Sequence, residues 1–156
     1  MESLLPDLIT PQPPPPNRVG KCDGEYEQVL SEGAVMLAFA FHLFAKYPDL
    51  KLVKIHPDGE HGKRFKIKEW LSSVGFELVE PMGSTAYGGT YRSAGDKTIV
   101  VRPISGCGDV EAEVGDLKIV AECKGGVINS RHAGQLSRLR KGLCEAVGLS
   151  MATNSS

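Results

Sequence analysis

The chain has 156 residues and a formal net charge of −1, with 41% hydrophobic and 24% charged residues. These totals fit one globular domain with room for a core and make wholesale disorder unexpected. They exclude an overall polycation, so any attraction to nucleic acid must come from local clusters. No apolar run reaches the roughly 18–20 residues of a bilayer span, and Met1-Glu2-Ser3 opens without the basic and apolar stretches of a secretory signal. Cys22, Cys107, Cys123 and Cys144 are scattered, with no C-x-x-C pair. Reduced thiols and a cytoplasmic setting are expected.

Residues 1–22 contain Pro11-Gln12-Pro13-Pro14-Pro15-Pro16. A stiff polyproline run lacks amide donors and is expected as a surface arm that joins neither helix nor sheet. Residues 23–150 are expected as one domain and 151–156 as a loose tail. The pattern from Asp23 to Tyr47 is helical: Asp23 caps, Glu25 and Glu27 occupy the first turn, and Pro48 stops it. Its second half, Ala34 to Phe44, is apolar nearly all round. Such a helix is buried between layers or against a partner, with His42 read as a core histidine.

A short strand is expected over Leu50–His56, followed by a turn at Pro57-Asp58-Gly59. His56 and His61 flank Asp58 and Glu60, a polar turn that is either solvated or a metal site. A basic helix follows over Gly62–Val74, with Phe65, Ile67, Trp70 and Leu71 inward and Lys63, Arg64, Lys66 and Lys68 outward. Gly75 ends it and Phe76–Val79 starts another strand. The Gly-rich residues 83–97 form a loop or ragged hairpin without a phosphate-binding glycine motif. Within it Tyr87, Tyr91 and Arg92 are candidates to line a nucleic-acid path by stacking and phosphate contact, beside the plainer reading of hairpin packing. Thr98–Arg102 is a β-branched strand ended by Pro103. A last helix is expected over Ser130–Val147, its inner stripe running through His132, Ala133, Leu136, Leu139, Leu143 and Val147. Another of its faces aligns Arg131, Gln135, Arg138 and Lys141.

The most informative stretch is Gly108–Lys124. Gly115-Asp116 is a two-residue hairpin signal with Gly where a type II′ turn requires it. Pairing Val114 with Leu117 puts Val110, Ala112, Val114, Leu117, Ile119, Ala121 and Cys123 on one apolar face. The other face carries Asp109, Glu111, Glu113, Lys118, Val120, Glu122 and Lys124, with Asp109 opposite Glu122. Opposed like charges destabilise a strand pair unless a cation or proton lies between them. Two carboxylates and the Cys123 backbone carbonyl make an all-oxygen set of the kind Mg²⁺ or Mn²⁺ prefers. Lys124 beside them is suited to orient a water or to stabilise charge on a phosphate.

Gly108-Asp109 followed by Glu122-Cys123-Lys124-Gly125 resembles the PD-(D/E)xK signature of the restriction-endonuclease-like nucleases: an acid on one strand, Glu-x-Lys on the next, then a helix. The resemblance is good over residues 98–147 and loose before them. It implies a three-layer α/β/α fold with a central mixed sheet, a divalent metal, and hydrolysis of DNA phosphodiesters in repair or in defence. It implies Asp109 and Glu122 as metal ligands and Lys124 as the catalytic lysine. Gln135 resembles the glutamine many members carry on the following helix. Gly24-Glu25-Tyr26-Glu27 resembles a helix-one glutamate motif, which would add Glu27 to the metal ligands. Arg131, Arg138, Lys141 and Arg92 are the residues expected to hold the DNA backbone. The alternative is a non-catalytic nucleic-acid-binding or assembly module on the same scaffold. The apolar helix Ala34–Phe44 is compatible with a homodimer under either reading.

Overall fold

The computed structural model describes residues 5–57, 64–103 and 108–137. Asp58, Glu60 and His61, Lys63, Cys107, Arg138, Lys141, Cys144 and the predicted tail lie outside the described residues.

The proline-rich arm departs from expectation. Leu5–Leu8 is a short helix (α1), and Thr10–Gln12 (β1) pairs antiparallel with Glu27–Leu30 (β2), Thr10 opposite Val29 and Gln12 opposite Glu27. Pro11 is tolerated because β1 is the edge of its sheet, where a missing amide deprives no neighbour. Gly126–Val127 (β9) completes the three-stranded sheet on the other side of β2.

The predicted helix from Asp23 is corrected in the same region. Its first third is bend and strand, and the helix proper, α2, spans Glu32–Lys46. Ser31 is the cap, its Oγ accepting the Ala34 N–H at 3.1 Å. The tertiary pairing overrides helical spacing here. Gln28 N–H donates to the Asn129 side chain at 2.7 Å, and Ile128 N–H donates to the Gln28 carbonyl at 2.9 Å. Along α2, Ala34, Met36, Leu37, Ala40, Leu43 and Phe44 are buried against the chain's own sheet. His42 is exposed and stacks on Phe39 at 6.0 Å, not a core residue as its neighbours suggested.

The larger sheet has six strands: Leu52–Ile55 (β3), Phe76–Pro81 (β4), Gly89–Ser93 (β5), Thr98–Val101 (β6), Val110–Val114 (β7) and Leu117–Ala121 (β8). Their order is β4-β5-β6-β3-β7-β8, with β3 and β6 parallel and the other pairs antiparallel. Alternate residues Val53, Ile55, Tyr91, Ile99, Val101, Val110 and Ala112 form the buried face. Helix Ile67–Ser73 (α3) joins α2 over that face, where Phe41 meets the rings of Trp70 and Phe76, each at 5.4 Å. Arg64, Lys66 and Lys68 are exposed as predicted. The ragged hairpin of residues 83–97 resolves into β5 and its turn. Tyr91 there is fully buried and donates to the Tyr87 carbonyl at 2.6 Å, so it cannot stack on a base.

The architecture is therefore mixed α/β around a mixed sheet. The predicted last helix is described only over residues 133–137, where Leu136 is 50% exposed, not inward. No helix among the described residues is long and apolar enough to cross a membrane.

Candidate active site

The β7–β8 hairpin forms with the expected register: Val114 faces Leu117 and Val110 faces Ala121. Gly115 takes φ +58° while Asp116 keeps a negative φ, as a type II′ turn demands. The apolar face is sealed at Val110 and Ala112, whereas Leu117, on the edge strand beyond the core, is 52% exposed. At the open end the register slips. Asp109 N–H donates to the Ala121 carbonyl at 2.9 Å, so Asp109 and Glu122 are not a square pair. Their side chains are close nonetheless, near enough for the Asp109 carboxylate to raise the Glu122 carboxyl. Asp109 Oδ2 accepts the Cys123 N–H at 2.8 Å, fixing one acid against the segment that carries the other; Glu122 and Lys124, expected on the strand, lie just past its end at Ala121.

Two close-packed glycines shape this corner. A Cβ on Gly108 would lie 2.5 Å from Val120 Cγ1 and 3.7 Å from Glu122 Oε1, so the residue before Asp109 must be bare. A Cβ on Gly125 would lie 2.3 Å from the Leu30 carbonyl oxygen and 2.7 Å from Glu32 N. The chain after Lys124 is thus pressed onto the backbone that begins α2. That apposition brings in Glu32, which sequence reasoning passed over: its carboxylate is 3.9 Å from Lys124 Nζ. The signal that could have found it was Ser31-Glu32, a capping residue followed by a first-turn acid.

Glu27, the acid chosen instead, is 1% exposed and faces away, paired with Arg18 at 3.0 Å. Strand alternation in β2 turns it toward the arm, and as a buried charge it needs that guanidinium. Gln135 lines a cleft of about 480 Å³ together with Glu32, Gly125, Arg64, Thr10 and Gln12. Among the predicted backbone-binding residues, Arg131 is drawn into the arm, paired with Asp23 at 3.3 Å and bonded to the Cys22 carbonyl at 3.1 Å. Arg92 is exposed on β5, three strands from β7, where it faces Glu77 and Thr98. Arg138 and Lys141 lie outside the described residues.

The electrostatics follow from crowding of acids. Burial, and then the Asp109 charge, hold the Glu122 carboxyl above the usual range; the Glu32 charge adds to this, and Lys124 opposes it. The Cys123 thiol, buried in the core, is pushed up to about 12, chiefly by burial and then by the Asp109 and Glu122 charges. It is no nucleophile. Among the described residues no group of three or more His, Cys, Asp or Glu side chains is placed to hold a metal unaided. A pair suffices for Mg²⁺, which keeps several waters and binds through one or two carboxylates plus a substrate phosphate. The donor set is all oxygen, and one of its two acids is biased toward keeping a proton that a cation would replace. The residues present fit the ion.

A stability prediction follows. A carboxyl held above its unfolded value binds protons more readily in the folded state, so stability falls as pH rises from the ordinary carboxylate value through the raised one. Above that window the penalty is constant. Glu122→Gln removes it, and its amide can donate to Asp109. In chelator at pH 7.5 this variant is expected to melt higher than the unmodified chain. Both should melt alike near pH 3.5. The single tryptophan, buried Trp70, reports the transition. Equal melting at pH 7.5 would mean that the acids do not repel.

Comparison with protein-family models, with curated proteins and with solved structures returns no match. The functional reading therefore rests on the corner itself.

Proposed function

We propose that the protein is a metal-dependent nuclease that hydrolyses DNA phosphodiester bonds. The observation that carries this reading is the pair Asp109 and Glu122, crowded together at the open end of a hairpin with Lys124 and Glu32 beside them. A fold gains nothing from gathering three acids at one corner, since like charges at this range cost stability. A site that receives a cation does gain.

In this reading Asp109 and Glu122 hold Mg²⁺ or Mn²⁺, which supplies a polarised phosphoryl oxygen and a water of lowered pKa when bound. Lys124 follows Glu122 by two residues, just beyond the end of β8, and its charge acts on the Glu122 carboxyl, so its ammonium is within reach of the same phosphate. There it stabilises negative charge that grows during attack. Glu32 pairs with that ammonium and keeps it from swinging into solvent. Asp109 is held in orientation by the Cys123 N–H, so its free oxygen stays aimed at the acid pair. The cleft lined by Glu32, Gln135, Gly125 and Arg64 continues from the corner and offers amides and a cation to a nucleic-acid strand.

The test incubates plasmid and linear DNA with purified protein and Mg²⁺ or Mn²⁺, beside Asp109→Ala. Cutting by the unmodified chain, reduced at least ~10²-fold in the variant and abolished by chelator, is the expected result. DNA left equally intact by both, with equal binding, favours the non-catalytic binding module. Cutting that survives Asp109→Ala places the chemistry elsewhere.

A further inference from the structure

Beside the acid pair, the sheet carries a feature the proposed chemistry leaves unused. Parallel strands β3 and β6 run in register to Ile55 and Val101. The next residues, His56 and Arg102, prolong them: Arg102 N–H donates to the Ile55 carbonyl at 2.9 Å, and His56 N–H donates to the Asp109 carbonyl at 2.8 Å. Arg102, His56 and Asp109 therefore stand on one rung across three adjacent strands, and Glu122 meets Asp109 at its end. Alternation turns the first three toward the same face, opposite to buried Ile55, Val101 and Val110.

Two polar atoms on this rung have no partner. Arg102 Nε and His56 Nδ1 are both shielded from solvent without a hydrogen bond. His56 Nε2 is taken by Glu111 Oε2 at 2.6 Å, which locks the ring with Nδ1 left over. Arg102 makes no ion pair among the described residues, although Lys51, Lys124, Arg18 and Arg131 all do. A half-buried guanidinium without an anion costs stability. Its retention beside a corner crowded with carboxylates, none of which turns to it, is explained by an anion that arrives from outside.

We propose that Arg102 is a substrate-binding residue that holds a backbone phosphate neighbouring the one at Asp109 and Glu122. This rests on the nuclease reading and names what that site grips. Arg102 is two strands from Asp109, about 10 Å between backbones. A guanidinium reaching back over that gap meets a phosphate a nucleotide or so along the strand. Its fork of N–H donors suits phosphate oxygens.

The experiment uses the full chain and a set of short DNAs, each with one charge-neutral methylphosphonate linkage in place of a phosphate. Binding is measured with Ca²⁺ or chelator in place of Mg²⁺, and cleavage with Mg²⁺. For the unmodified chain, neutralising one linkage beside the cleavage point should weaken binding about tenfold. Arg102→Gln should weaken binding to unmodified DNA by a similar factor, lower the salt slope of log K by about 1, raise KM more than it lowers kcat, and no longer sense that linkage. Arg102→Lys should recover part of the loss and checks that the fold survives. If the unmodified chain cuts DNA while Arg102→Gln keeps its salt slope, its KM and its sensitivity to the neutral linkage, the proposal is overturned and the nuclease reading stands. If the unmodified chain binds DNA without cutting, the nuclease reading falls, and the binding arm alone decides Arg102. If it neither binds nor cuts, both fall together.

Discussion

Lys124→Ala is expected to slow DNA cleavage by roughly 10²–10³-fold, the usual cost of losing one donor to charge that develops in a transition state. Binding of DNA should change only a few-fold, because a single cation contributes a small part of a polyanion's affinity. Lys124→Arg should restore charge but not geometry, since a guanidinium is planar and bulkier than an ammonium, and a partial recovery is expected. The substitution also strips Glu32 of its 3.9 Å partner. Half-exposed pairs of this kind contribute little to stability, so the melting temperature should move by no more than about 2 °C. Loss of cleavage with an unchanged melting temperature is the result that assigns Lys124 a chemical part. A fall in melting temperature that tracks the fall in rate would assign it a structural one.

Gly125→Ala is expected to be strongly destabilising. The added Cβ would meet the Leu30 carbonyl, the Ser31 carbonyl carbon and the Glu32 amide at 2.3–2.7 Å, all backbone atoms that no rotamer change can move aside. Overpacking of this kind costs about 3 kcal/mol, which in a domain of this size lowers the melting temperature by roughly 6–12 °C. Relief by shifting the chain would part Gly126–Val127 from Leu30 and Val29 and carry Glu32 away from Lys124. Cleavage should therefore fall even well below the melting temperature. Gly126→Ala, one residue on, is the comparison, and a similar loss there would mean that the strand and not the contact is at issue.

The readable and the unreadable parts of the chain divide on physical grounds. The β7–β8 hairpin was legible because a turn residue sets its register and a two-residue period sorts its faces; both are local. Ile67, Trp70 and Leu71 were legible for the same reason, since helical spacing selects the buried stripe; Phe65 is buried as well, but ahead of the helix, which spans Ile67–Ser73 and not the expected Gly62–Val74. Asp23–Leu30 was not legible. Its acids and spacing suit a helix, and only Asn129 and Gly126–Val127, far along the chain, draw it into a sheet. The error carried directly into the site: Glu27 was placed on a helix that does not begin until Glu32. The slip at Asp109 was likewise invisible, because it depends on a side-chain bond to the Cys123 amide and not on strand alternation. Arg131 looked like part of a basic face, and what removes it is Asp23, a partner no periodicity would pair with it.

The contact of Gly125 with Leu30–Glu32 also has a bearing on how the protein is made. The hairpin and the β4-β5-β6 meander join near neighbours in sequence and can assemble as they leave the ribosome. The acid corner cannot. Glu32 must wait for Gly125 before it has a neighbour, and that loop encloses most of the domain. A chain interrupted before Glu122 would carry Asp109 and Glu32 without the second acid of the corner or the lysine beside it. Synthesis is thereby ordered so that the acid corner is completed only when nearly all of the described fold is already in place.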